Sequence, residues 1–273
     1  MSRLLGLFDL RAQRPDRWVG PASGPAGKRT YGGHLAGQAL AAAGRTVDPV
    51  LLPTNLHVQF LRAGAAEDAV DYTVERVHDG RTSAARRVRA TQEGRLLAVA
   101  TVSFAVALPG PEHGQRDAPP GDPTALSRTG PAGPAPSMPL DEIDIRIADR
   151  GSGASFVRQY WWRATVALPD DPLLHACVAM YVTDVYMIDP ALRVHGIALR
   201  DRTHRTATTG TSAWFHRPIH ADRWNLLEST SPAAARGRGV VTAGLLDRAG
   251  TRVATLVQEG LVAPREAGTS EGR

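Results

Sequence analysis

The chain carries the same unit twice. Gln59-Phe60-Leu61-Arg62-Ala63 is echoed by Trp214-Phe215-His216-Arg217-Pro218, and Ser83-Ala84-Ala85-Arg86 by Ala233-Ala234-Ala235-Arg236. Each second anchor is followed by an alternating apolar run, Leu96 to Phe104 and Val253 to Val262. At 273 residues the chain can bury a substantial core, as one large domain or as two fused ones. Self-similarity in halves of about 100 residues is what an intrachain pseudo-dimer of one small domain leaves behind. Two such halves meet in a cleft.

Each half predicts one apolar helix and several strands. In the first, Gly32-Gly33 precede a helix over His34–Val47, with Leu35, Ala39 and Ala42 on one face. A helix so rich in alanine can lie close to a sheet curved around it. Strands are expected at Leu56–Leu61, Val70–His78, Ser83–Glu93 and Arg95–Ala107, with Asp79-Gly80 and Glu93-Gly94 as turns. Proline and glycine accumulate from Pro109 to Pro139. The expected division is therefore a first domain over 1–107, a linker over 108–150, a second domain over 151–265 and a disordered tail over 266–273.

The second half opens with the alternating run Phe156–Val166, which puts Tyr160 and Trp162 on one side and Trp161 on the other. Asp171-Pro172 starts a helix, the aspartate as cap and the proline at the first helical position, and Asp189-Pro190 ends it. Asp184 falls on the apolar stripe of that helix, at i+4 from Met180. An unpaired buried charge is costly, so Asp184 must face a polar cavity or be hydrogen-bonded. Strands are expected at Leu192–Leu199, Ala207–His216, Trp224–Thr230, Gly239–Asp247 and Arg252–Val262. Gln258 sits in the middle of the last among apolar neighbours, and Gln38 on the apolar face of the first helix.

Composition narrows the function. The formal net charge of +5 comes almost wholly from arginine, since Lys28 is the only lysine. The arginines are scattered and aromatics are few, which argues against nucleic acid while leaving an anionic small ligand compatible. No uninterrupted apolar run is long enough to span a membrane, and Met1–Leu10 is too short and too acidic for an export signal. With Cys177 alone, no intrachain disulfide can form, and a cytoplasmic protein is expected. His216 and His220 lack the cysteines that would complete a zinc site, so no metal is expected.

Several separate motifs, in order along the chain, resemble the type II acyl-CoA thioesterases, the TesB-like family. They are Tyr31-Gly32-Gly33-His34-Leu35-Ala36-Gly37-Gln38-Ala39-Leu40, His57-Val58-Gln59-Phe60-Leu61-Arg62, Asp79-Gly80 with Ser83 to Val88, Ala207-Thr208 with Ser212 to Pro218, and Val257-Gln258-Glu259-Gly260. The resemblance covers nearly everything outside the linker. It implies an α+β double hotdog, two tandem domains each with an antiparallel sheet wrapped on a long helix. It also implies that Asp184, Thr208 and Gln258 hold the hydrolytic water, that the substrate is fatty acyl-CoA, and that no cofactor is needed beyond the coenzyme A of the substrate.

The chemistry suits that trio. A thioester carbonyl is already electrophilic and its thiolate leaves readily, so the enzyme needs a positioned, partly deprotonated water and support for the oxyanion. Asp184 would act as general base while Thr208 and Gln258 orient the water. Arg62, Arg87, Arg217 and Arg236 are candidates for the coenzyme A phosphates by charge and motif position, and His57, beside Phe60, for ligand contact. Gln38 reads as structural and Cys177 as a small core hydrophobe. The family's Asp-His two residues after the threonine is Gly210-Thr211 here, its proline after Phe-Leu-Arg is Ala63, and the first histidine of its His-x-x-His strand is Thr54. A non-catalytic acyl-CoA or acyl-lipid binding protein and a 3-hydroxyacyl thioester dehydratase are the competing readings, and assembly into a homo-oligomer is open.

Overall fold

The computed structural model describes residues 2–114, 121–129, 139 and 141–265; the expected tail, 266–273, lies outside the described residues. A short helix α1 (Arg3–Gly6) is followed by strands β1 (Arg11–Arg14) and β2 (Arg17–Gly20), helix α2 (Gly32–Gly44) and strands β3 (Leu52–Phe60), β4 (Val70–Asp79), β5 (Ser83–Gln92) and β6 (Arg95–Ala105). The second half contributes β7 (Ile143–Ile147), β8 (Arg158–Ala164), α3 (Pro172–Thr183), α4 (Pro190–Arg193), β9 (His204–Phe215), β10 (Asn225–Ala235), β11 (Arg238–Asp247) and β12 (Arg252–Pro264). The strands form one antiparallel sheet in the order β1-β2-β4-β5-β6-β3-β9-β12-β11-β10-β8-β7. The two halves thus join edge to edge through β3 and β9, and α2 packs against α3 inside the curve. This is the double hotdog, with its two sheets fused into one.

The alternation read in the sequence sets which face each strand turns to the helices. In β5, and in β6 from Ala98 on, every second side chain is buried. Trp162 and Tyr160 enter the main core, whereas Trp161 turns to a satellite cluster with Trp224, Leu226 and Leu246. Residues 33–43 of α2 are all buried. Leu35 and Leu40 there each contribute roughly 1.5–3 kcal/mol by leaving water. Glu93 (φ 48°) and Gly94 (φ 75°) make the tight β5–β6 hairpin turn.

A pseudo-two-fold relates the halves, and the register across β3–β9 shows it directly. The pairs Asn55–Trp214 and Gln59–Gly210 exchange about a centre at His57–Ser212. Both strands leave the sheet alike. Leu61 and Arg62 N–H share the Leu97 carbonyl, and His216 and Arg217 N–H share that of Val253. Each strand also carries a bulge, at Thr54 and at Thr209, and each of these threonines donates its hydroxyl 3.2 Å to a carbonyl on the next strand, of Ser103 and Glu259.

Four expectations are corrected. The echo of Ser83–Arg86 by Ala233–Arg236 does not mark equivalent positions: the first opens β5, the second closes β10, and Arg236 sits at φ 53° in the following turn. No strand forms over Leu192–Leu199; Pro190 nucleates α4 instead, followed by a single 3-10 turn, Leu199–Asp201. The helix from Pro172 ends at Thr183 rather than at Asp189, passing into a 3-10 turn over Asp184–Tyr186. The interval 108–150 is more than a linker. It supplies β7, and the Glu142 carboxylate caps α1 by accepting from the Arg3 and Leu4 amides.

Candidate active site

The end of α3 is fixed from the sheet. The Tyr160 hydroxyl contacts the carbonyl oxygens of Val182 and Thr183, two of the acceptors that a helix leaves open at its C-terminus. That arrangement sets the step into the 3-10 turn at Asp184 and aims the Asp184 side chain at the start of α2. There Tyr31, the residue before the helix, has no capping side-chain acceptor, so the Gly33 amide is free to donate 2.8 Å to Asp184 Oδ2. Tyr31 instead donates its hydroxyl to the Tyr181 carbonyl at 2.8 Å and tethers the two helices. Position 33 has no room for a side chain: a Cβ would lie 2.6 Å from the Tyr181 oxygen and 3.0 Å from Asp184 Cβ.

Thr208 and Gln258 reach the same point from the sheet. Gln258 on β12 pairs with Thr211 on β9, and the bulge at Thr209 brings Thr208 onto the face that Thr211 occupies. The Gln258 amide nitrogen donates 2.8 Å to Asp184 Oδ1 and 2.5 Å to Thr208 Oγ1. The trio expected from the sequence is therefore one hydrogen-bonded unit drawn from α3, β9 and β12. Burial pushes the Asp184 carboxyl up to about 6, against the opposing effect of its hydrogen bonds from Gln258 and Gly33. Gln258 Oε1 and Thr211 Oγ1, side by side on neighbouring strands, are buried and make no hydrogen bond.

Above the trio lies a cleft of about 560 Å³, whose lining includes Asp184, Thr208, Gly32, Phe60 and Ile188. Lys28, Arg29 and Arg62 stand at its rim. Of the five other residues singled out in the sequence, only Arg62 lines this cleft. Arg217, its pseudo-symmetric counterpart, lies at the opposite end of the β3–β9 pair. His57 is exposed on the outer face, its Nδ1 2.8 Å from Ser212 Oγ, and Arg87 is exposed on β5 between buried Arg86 and Val88. Arg236 is exposed in the β10–β11 turn. Those three and Arg217 are corrected as residues of this cleft: strand alternation sends His57 and Arg87 outward, the repeat puts Arg217 at the other end, and the failed echo misplaced Arg236.

Gln38 is buried and fully engaged, donating to the Leu7 carbonyl at 2.7 Å and accepting from the Tyr72 hydroxyl at 2.8 Å. Cys177 is buried, its thiol pushed up by burial. Among the described residues no cluster of three His, Cys, Asp or Glu could hold a metal ion. Gly33's part is invisible to a reading of residue types, because a backbone amide leaves no mark there. Lys28 and Arg29 were legible only as charge next to the Tyr31-Gly32-Gly33 motif.

Comparison with known proteins places this geometry. Residues 18–105 match the family model of the acyl-CoA thioesterase N-terminal domain, and residues 111–262 that of the acyl-CoA thioesterase C-terminal domain. The chain belongs to the acyl-CoA thioesterase family. It is 30% identical over 270 residues to human acyl-coenzyme A thioesterase 8, covering 86% of this chain and 81% of that protein. Acyl-CoA thioesterase 2 of Haemophilus influenzae is 27% identical over 251 residues, covering 86% of this chain and 88% of that one. The crystal structure of acyl-CoA thioesterase II TesB2 from Mycobacterium marinum superposes with a TM-score of 0.83 at 31% identity, over 96% of this chain and 99% of that one.

For a thioesterase of this family, the departure at Gly210-Thr211 falls beside the trio rather than within it. Thr211 turns its side chain inward next to Gln258, while Gly210 lies near His57 on the outer face.

Proposed function

We propose that this acyl-CoA thioesterase hydrolyses fatty acyl-CoA to free fatty acid and coenzyme A with a water held by Asp184, Thr208 and Gln258. Family membership supports the reaction class. The residues rest on one observation above all: a single amide nitrogen, Gln258 Nε2, bonds both Asp184 and Thr208.

With both Nε2 protons committed in that way, Gln258 locks the two oxygens at a fixed separation. Thr208 accepts from Gln258, which leaves its own hydroxyl proton to donate to a water. Asp184 keeps a lone pair on each oxygen to accept a proton from that water. A carboxyl with a pKa of about 6 is ionised at neutral pH yet far more basic than an ordinary aspartate. The oxygen of the water attacks the thioester carbon, its proton passes to Asp184, and collapse of the tetrahedral intermediate breaks the C–S bond. Proton return to the departing thiolate restores the carboxylate. Tyr31 offers no side-chain cap and Asp184 takes only the Gly33 amide, so the Gly32 amide, beside the carboxylate, can receive the oxyanion.

Lys28, Arg29 and Arg62 supply the charge that coenzyme A phosphates require at the cleft mouth. No cofactor enters the scheme. We place the reaction in the cytoplasm, a reading supported by the single, buried Cys177 and by the absence among the described residues of a helix long and apolar enough to cross a membrane. The dehydratase reading needs a histidine beside the carboxylate, and the described lining of this cleft holds none.

Free-thiol release from acyl-CoAs of graded length tests the proposal. Saturable turnover with an optimum at one chain length is the expected result. Tight binding without thiol release identifies a carrier instead, and enoyl-CoA absorbance a dehydratase.

A further inference from the structure

The pseudo-two-fold predicts a second cleft at the far end of the β3–β9 pair, and the structure contains one. Its lining includes Leu52, Pro53, Ala105, Ala176, Phe215 and Ile219, around a cavity of about 190 Å³. Phe215 stands where Phe60 does in the first cleft, and Ala176 of α3 where Ala36 does on α2. At its mouth Arg217 repeats Arg62: each guanidinium donates to a carbonyl of the neighbouring strand, Arg252 and Leu96 respectively.

The catalytic side chains are the part that is not repeated. The register places Val102 at the position of Gln258 and Pro53 at that of Thr208. The last residue of α2, Gly44, lies against Leu173, the second residue of α3, just as Asp184 lies against Gly33, the second residue of α2. A Cβ on Gly44 would come within 2.3 Å of Leu173 Cδ2, so the leucine occupies the space of the missing carboxylate. The amide of Leu173 is taken by Asp171 Oδ1 at 2.9 Å. The second cleft has an apolar interior, a cationic mouth and, among its described lining, His216 and Thr54 but no counterpart of the Asp184–Thr208–Gln258 unit.

We propose that this second cleft binds, without hydrolysing, a medium-length aliphatic chain with an anionic end, the chain lying against Phe215 and the anion at Arg217. Arg217 holds an anion now: it donates to Glu112 Oε2 at 3.0 Å, from the segment that follows β6. That carboxylate is 77% exposed while the guanidinium is 28% exposed, so a ligand can displace Glu112 into water without uncovering the arginine. A dry apolar cavity of ~150 Å³ takes up benzene, so the space here suits a chain of about eight carbons. Free fatty acid and acyl-CoA share this chemistry. The inference stands whether or not the first cleft hydrolyses, because its test reads binding.

Octanoate and S-octyl-CoA, a thioether that cannot be hydrolysed, are titrated separately into the full chain by calorimetry. The expected result is a site, for one or both probes, that Ala105→Trp removes by filling the second cleft while thiol release from octanoyl-CoA stays within about twofold of wild type. The probe that loses its site in Ala105→Trp identifies the head group. Glu112→Gln, on the exposed segment, should tighten the same site several-fold by freeing Arg217, and serves as the arm that does not depend on repacking. Binding of both probes unchanged in Ala105→Trp and in Glu112→Gln would overturn the proposal. So would octanol binding as tightly as octanoate, or the Ala105→Trp substitution dissociating an oligomer whose partner had covered the cleft.

Discussion

At one end of the β3–β9 pair the cleft is built on Asp184, Thr208 and Gln258; at the other the same backbone positions hold Gly44, Pro53 and Val102. The bulges, the strand exits and the arginine at each mouth are alike at the two ends. The fold alone supplies a helix start, an apolar slot and a cation at both ends, while the chemistry proposed for the first depends on exchanging small for large across one helix contact. Where the first cleft sets an aspartate against a glycine, the second sets a glycine against a leucine. The helix caps follow suit. Asp171 satisfies its own helix, whereas Tyr31 cannot, which leaves the Gly33 amide for Asp184.

Substitutions that make the first cleft resemble the second should remove its activity. Gly33→Leu imports the Leu173 arrangement and should have the largest effect, since even a Cβ there meets the Tyr181 carbonyl and Asp184. Displacing the carboxylate should reduce kcat/KM for acyl-CoA by at least about 10³-fold. Near-normal turnover of a folded Gly33→Leu protein would show that the glycine contact is incidental. Gln258→Val, which imports Val102, removes the amide that fixes both partners and should cost about 10²-fold in kcat. It should also raise the kinetic pKa of the acid limb, because the bond from Gln258 lowers that of Asp184.

A smaller effect concerns stability. The folded protein raises the Asp184 pKa from 3.8 to about 6, so it holds that proton more tightly than the unfolded chain does. The ionised carboxylate therefore costs stability above pH 6, by up to about 3 kcal/mol. That cost is relieved as the pH falls through 6 towards 4. Asp184→Asn should accordingly be more stable than wild type at pH 7.5, and the gap should narrow on acidification. Denaturant melts at the two pH values read this directly, and a pH-independent gap would mean that Asp184 is not a strained base. Activity should decline tenfold per pH unit below about 6 in wild type.

How much of this was legible in the sequence depends on what marked each element. The β4–β6 meander and β9 to β12 were visible because one face of each is buried over much of its length, and the pattern records that; α2, buried on all sides, was visible from its run of small apolar residues after Gly32-Gly33. The edge strand β1 was missed because all four of its residues are exposed and carry no alternation. β7 was hidden in a stretch read as linker from the prolines before it, although Ile143 and Ile145 pack in the core. The run from Leu192 to Leu199 opens with the strand-like alternation Leu192-Arg193-Val194-His195, but Pro190 decided for a helical turn. Asp184 and Gln258 were legible as polar residues in apolar settings, each weak alone, whereas Thr208, in a run of threonines, was marked only by the family motifs. The spatial unity of the trio was not legible, because the bulge at Thr209 that brings Thr208 round to Gln258 is a property of register rather than of composition.

In the mechanism proposed, one carboxylate activates the water, and among the described residues only the first cleft has it. The most direct test is kcat/KM of Asp184→Asn for thiol release from octanoyl-CoA at pH 8, with binding of S-octyl-CoA measured alongside. The expected result is a loss of about 10²- to 10⁴-fold with binding retained. Turnover equal to wild type in a folded, ligand-binding variant would contradict it.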